Sequence, residues 1–190
     1  MMAIDIPTVF IGNANNDPDP ATGYGRVDHV YRIGKFEVTL NQYSAFLNSV
    51  ATVPTAPHIT KLYNPDMAGD KVIGGTISRT GAGTVESPYA YAPIGNGDRP
   101  VPWVTWFDAA RMANWLHNGG TKTSSTETGA YTLNGATEGI VRRNPDATWW
   151  IPRENEWYKA AYYDPSLNGN AGGYRQFPTR SDTQPVDEPA

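Results

Sequence analysis

Cysteine is missing from this 190-residue chain. A disulfide-stapled secreted scaffold is therefore excluded, as are thiolate metal sites and thiol catalysis within these residues. Histidine is scarce too. His29, His58 and His117 are widely separated, with none of the close spacings of histidine-based zinc motifs. No apolar run approaches the roughly 18 residues of a membrane span. The start, MMAIDIPTVFIGN, has no basic segment leading into an apolar one, so no signal peptide is visible. Positive charge is not in excess: 15 basic residues face 19 acidic ones, a net charge of −4. That balance argues against a nucleic-acid-binding surface.

What is present is a packable core broken by many turns. Hydrophobic residues make up 39% and aromatics 12%, and the chain carries 19 glycines and 16 prolines. Length and composition point to one loop-rich globular domain over residues 1–190, built from short elements.

The residues 4–11 (IDIPTVFI) read as an edge strand interrupted by Pro7. A second strand is expected over 27–38, with a change of side-chain parity at Gly34-Lys35 that suggests a bulge. Thr39 and Gln42 then make a Thr-x-x-Gln capping box, followed by Leu40, Tyr43, Phe46, Leu47 and Val50 at helical spacing. Residues 52–100 hold no long periodic segment; a stretch of this length is either functional or folded into small irregular hairpins. VPWV (101–104) reads as a short strand. Thr105 and Asp108 open the next helix, whose apolar stripe is Ala109, Met112, Ala113 and Leu116, with His117 in the last turn and Gly119 as its stop. Residues 120–147 are loop with a hairpin expected around YTLNGAT, where Asn134-Gly135 is the strongest turn signal, and His117 is expected to complement the helix dipole from the surface. A third helix is expected within WWIPRENEWYKAAYYDP (149–165). Trp157, Ala160 and Ala161 form its apolar face, Glu154 and Glu156 act as first-turn charges, and Asp164-Pro165 ends it.

Candidate chemistry is sparse. NANNDPDP (13–20) puts oxygens on Asn13, Asn15, Asp17 and Asp19 at every second position, but lacks the central glycine and distal glutamate of a calcium loop in register, so a solvated turn is expected. Asp66, Asp70, Glu154 and Glu156 are the obvious acids, and no carboxylate pair can be set across a cleft from sequence. Gly23-Tyr24-Gly25 and Gly81-Ala82-Gly83 are turns, since neither links a strand to a helix as a phosphate loop does. Tyr89 and Tyr91, in a Gly/Pro-rich segment, are the candidate binding residues: they either line a peptide or sugar groove or pack the segment down.

These runs taken together resemble the formylglycine-generating enzyme, or sulfatase-modifying factor, family, and most of all a bacterial exported branch of it. The carrying runs are YRIGKFEVTLNQYSAFLNSV, LYNPDMAGD with GGTISRTG, RPVPWVTWFDAARMANWLHNG, AYTLNG, and WWIPRENEWYKAAYYDP with GGYRQFPTRSD. In the family's order they span most of residues 24–183. The resemblance implies an α+β, C-type-lectin-like fold, poor in regular structure, with about three helices. For active members it implies oxidation of a sulfatase cysteine to formylglycine with copper and oxygen, and calcium as structural support. It also implies a location outside the cytoplasm.

In that family the cysteine pair that holds copper, and most calcium ligands, lie in a C-terminal segment that the matching runs do not include. No catalytic, copper-binding or calcium-binding residue is therefore carried over, and no cofactor is expected in this chain. The 190 residues are expected to be an incomplete family domain, inactive alone. Whether they belong to an enzyme stays open at this point. The partner expected is a sulfatase-like protein or peptide; the alternative is a non-catalytic, lectin-like module for protein or carbohydrate. Arg153 replaces the usual small hydroxyl residue at the third helix's start, which predicts a weak N-cap. The related sulfoxide synthases need a His-rich helical domain that nothing here supplies.

Overall fold

A computed structural model of the chain describes residues 4–69 and 75–186. Short helices and two-stranded antiparallel ladders make an α+β architecture, in two compact units. One contains Met1–Pro7 and Phe36–Ile151; the other contains Thr8–Lys35 and Pro152–Ala190.

The first unit is organised by two helices, α1 (Leu40–Val50) and α3 (Trp106–His117), with a short α2 (Pro57–Thr60) after α1. Both long helices start as their sequences predict. Thr39 accepts the Gln42 N–H at 3.3 Å, and the Gln42 amide oxygen accepts the Thr39 N–H at 2.9 Å. Thr105 and Asp108 make the same reciprocal contacts at 3.2 and 3.0 Å. Each box satisfies helix-start N–H groups that would otherwise lack partners.

Leu40, Tyr43, Phe46 and Leu47 of α1 are buried, as the helical spacing predicts, and meet Met112 and Trp115 of α3 in one core cluster. Phe46 and Trp115 lie 5.4 Å apart, tilted, a favourable arrangement for aromatic rings. The Trp115 indole N–H donates to the Thr121 carbonyl at 2.8 Å, so the ring is buried without stranding its polar edge.

The region 52–100 contains a hairpin, β3 (Gly75–Thr80) with β4 (Ala90–Gly95), in register from Gly75 opposite Gly95 to Thr80 opposite Ala90. Ile77 and Tyr91 point into the core. Asn48 of α1 fixes β4 by pairing with both backbone groups of Tyr91: its amide donates to the carbonyl at 2.6 Å and its oxygen accepts the N–H at 3.0 Å. A short 3-10 turn, Pro65–Ala68, carries the exposed Asp66; Asp70 lies outside the described residues.

Three local expectations in this unit are corrected. VPWV is not a strand. Trp103 sits at φ 60°, a left-handed conformation that a bulky residue adopts only at a cost, and it cannot continue an extended ladder. Asn134 (φ 49°) and Gly135 (φ 84°) do form the predicted turn, closed by the Ala136 N–H on the Leu133 carbonyl at 3.0 Å. Its flanks, however, build no ladder; a single bridge joins Tyr131 and Arg143. His117 does more than face the helix dipole: its Nδ1 accepts the Thr148 N–H at 3.1 Å.

The second unit holds a ladder of β1 (Thr8–Ile11) with β2 (Tyr31–Gly34), the helix α4 (Glu154–Tyr162), a minimal ladder of β5 (Tyr163–Asp164) with β6 (Gly173–Tyr174), and between these two short strands a helical turn α5 (Leu167–Asn170). Here β1 begins just after Pro7, which has no N–H to give. β2 stops at Gly34, so the parity change marks the end of a strand rather than a bulge inside one.

The expected face of α4 is wrong. Trp157 is 55% exposed, while Glu156 and Lys159 are the buried residues of the helix. Burial follows hydrogen bonding here. Glu156 accepts the Arg153 N–H at 2.7 Å and meets His29 Nε2 at 3.0 Å; Lys159 donates to the Asn13 carbonyl at 2.7 Å. The Arg153 side chain makes no cap bond, as the missing hydroxyl predicts, so Glu156 supplies the helix start instead. NANNDPDP is also only partly a solvated turn. Asn16 and Asp19 are buried: the Asn16 amide donates to the Gly25 carbonyl at 2.9 Å, and Asp19 accepts the Tyr158 hydroxyl at 2.6 Å.

Candidate functional site

The most organised polar site in the first unit grows out of α3. Besides its apolar stripe the helix carries a second one, Arg111, Asn114 and Asn118, at i, i+3 and i+7 on one face. These three side chains hold the irregular segment 121–136. Asn114 donates to the carbonyls of Thr126 (2.8 Å) and Tyr131 (3.0 Å) and accepts the Tyr131 N–H at 2.7 Å. Asn118 donates to the carbonyls of Ser125 (3.0 Å) and Thr128 (2.7 Å). Buried backbone needs such partners, and here side-chain amides stand where a neighbouring strand would otherwise be.

Arg111 is 1% exposed. Its Nε donates to Glu127 Oε1 at 2.8 Å and its Nη2 to Glu127 Oε2 at 3.2 Å and the Ala136 carbonyl at 2.8 Å. Glu127 also accepts the Gly135 N–H at 2.7 Å, which the tight Asn134-Gly135 turn presents, and the Thr126 hydroxyl at 3.1 Å. Burial pushes the Glu127 carboxyl up, but the Arg111 bonds, the Gly135 N–H and the nearby His58 outweigh it and hold the acid below its ordinary value.

His58, from α2, brings Nε2 to 3.4 Å from Glu127 Oε1. Beside this trio lies a cleft of about 350 Å³, walled by Ser49 at the end of α1, by Thr55 and His58, and by Lys122, Thr126 and Glu127. Chemically it offers one imidazole, one ammonium and several hydroxyls, against a carboxylate already committed to an arginine.

Tyr91 is 5% exposed, with its hydroxyl donating to the Ala51 carbonyl at 2.9 Å, and burial pushes its phenol up to about 12. Tyr89 is half-buried, and the Arg79 guanidinium lies 4.5 Å from the rings of both Tyr63 and Tyr89. Neither tyrosine lines the cleft. The cleft itself was missed by sequence reasoning; the signal available was the polar 111–114–118 spacing, which the apolar stripe overshadowed.

A family model described as the sulfatase-modifying factor enzyme 1-like domain matches residues 7–188. A loop-rich α+β chain of this kind is what the sequence runs pointed to, and the chain belongs to that family. No curated protein and no solved structure gives a match to it.

The residues present do not fit the family's copper. Thiolates are the donors that copper chemistry of this kind needs, and the chain has no cysteine. Among the described residues no three His, Asp or Glu side chains converge into a cation site, which gives calcium no acidic cage either.

Proposed function

We propose that these 190 residues engage a sulfatase-type polypeptide without themselves supplying the oxidation of its cysteine. The carrying observation is the absence of any thiol in a family whose chemistry rests on thiolate-held copper. The family acts on sulfatases, which makes a protein or peptide the first partner to test. In this reading the chain adopts the C-type-lectin-like arrangement of the family as one domain running through both units, and it works outside the cytoplasm. The half-buried Tyr89, rather than Tyr91 with its committed hydroxyl, is the tyrosine left to touch a ligand.

The test is fluorescence anisotropy of a labelled peptide carrying a sulfatase cysteine motif, with the cysteine replaced by serine in one arm. Saturable binding in both arms supports recognition without chemistry. A flat titration in both, with saturable binding of a glycan panel instead, moves the function to the carbohydrate-binding alternative.

A further inference from the structure

We propose that the cleft beside the Arg111–Glu127 pair is a binding site for a small oxyanion, a sulfate or carboxylate group borne by a larger ligand. The inference goes beyond the oxidation question and does not depend on its answer.

The charges that face the cleft decide its preference. Glu127 is the one acid in its wall, and it has little left to offer a ligand. Oε1 accepts from Arg111 Nε and the Thr126 hydroxyl, and Oε2 from Arg111 Nη2 and the Gly135 N–H. Arg111 offsets its charge through a two-point contact at 2.8 and 3.2 Å. Apart from the apolar Val50, Ala56 and Ile59, what remains on the wall is positive or hydroxyl-bearing. Lys122 is exposed, and among the described residues no acid pairs with it. His58 also lines the cleft, with its Nε2 3.4 Å from Glu127 Oε1. Thr55 adds an exposed hydroxyl.

Ser49 borders the cleft at the end of α1, but its Oγ is shielded from solvent and, among the described residues, has no hydrogen-bond partner. The groups open to a ligand are the Lys122 ammonium, the His58 imidazole and the Thr55 hydroxyl, and around about 350 Å³ they suit an oxyanion together with part of the molecule that carries it.

The experiment titrates the full chain with sodium sulfate and, separately, sodium acetate, against sodium chloride at matched ionic strength. His58 ring resonances and calorimetry report binding. The expected result is a saturable His58 shift with at least one oxyanion and not with chloride. Affinity should fall by about tenfold in Lys122→Gln, which leaves the exposed position folded. A calorimetric repeat on His58→Asn should show a comparable loss. Sulfate alone identifies a tetrahedral group, acetate alone a carboxylate, and either supports the site. No saturable response to either anion, or unchanged affinity in both variants, overturns it.

Discussion

Arg111 and Glu127 meet through two parallel contacts, Nε to Oε1 at 2.8 Å and Nη2 to Oε2 at 3.2 Å, with the guanidinium almost wholly buried. This two-point geometry is the strong form of the charge pair. It ties the buried face of α3 to the segment that forms one wall of the cleft.

Breaking that pair strands a buried charge. Arg111→Ala should cost about 3 kcal/mol, the lower end of the range for buried pairs, because Glu127 keeps some water contact. Arg111→Lys should not restore it, since an ammonium cannot form the fork. Urea unfolding of the three proteins checks both statements; a lysine variant as stable as the parent contradicts them.

Two carboxylates should make the fold acid-sensitive. Glu127 is held below its ordinary value as described, and Asp164 is held down to about 2 by the Ser166 hydroxyl and N–H, then by Arg175. An acid depressed in the folded state stabilises it fully above the unfolded value and loses that contribution as pH falls through the folded one. Unfolding free energy should therefore decline from about pH 4 downward, with Asp164 contributing until about pH 2. Glu127→Gln should flatten the upper part of that decline, measured by urea melts across the acid range.

The face of α4 gives a sharp contrast. Trp157→Ala should change stability by about 1 kcal/mol or less, because the ring is exposed and meets Tyr162 edge-on. Glu156→Ala should cost about 1–3 kcal/mol by leaving the Arg153 N–H without its acceptor and removing the His29 Nε2 contact. Thermal melts of the two variants decide which residue faces inward.

That contrast shows what the sequence could and could not convey. The caps Thr39/Gln42 and Thr105/Asp108 and the turn Asn134-Gly135 were legible because each is closed within a few residues by its own side chains or backbone. The buried side of α4 was not, because Glu156 and Lys159 also take partners in His29 and Asn13, more than a hundred residues away in the chain. Periodicity reads apolar faces, and it assigned Trp157 to one. Trp103 failed as a strand residue for a backbone reason that no side-chain pattern carries. The cleft was illegible for a similar cause: His58 comes from α2 and Lys122 and Glu127 from the segment 121–136, which Arg111 and Asn114 of α3 hold in place.

Tyrosine ionisation should report the fold at high pH, through Tyr43 and Tyr91 in the first unit as well as through the second. Burial raises the phenols of Tyr31 and Tyr174, the latter to about 12, helped by neighbouring Tyr163 and Asp19. A group whose folded value is raised contributes stability below the unfolded value, about 10, that is lost as pH rises further. Ultraviolet titration should show a fraction of the 11 tyrosines resisting ionisation beyond pH 10, then ionising together with loss of folded-state ellipticity. Titration of all of them near pH 10 in the folded protein contradicts this.

Recognition without oxidation is tested most directly by incubating the chain with copper, oxygen and a peptide carrying a sulfatase cysteine motif, and following the peptide by mass spectrometry. A chain with no thiol to hold the metal should leave the cysteine unchanged, whatever its affinity for the peptide. Accumulation of the formylglycine product above a protein-free copper control would contradict the account.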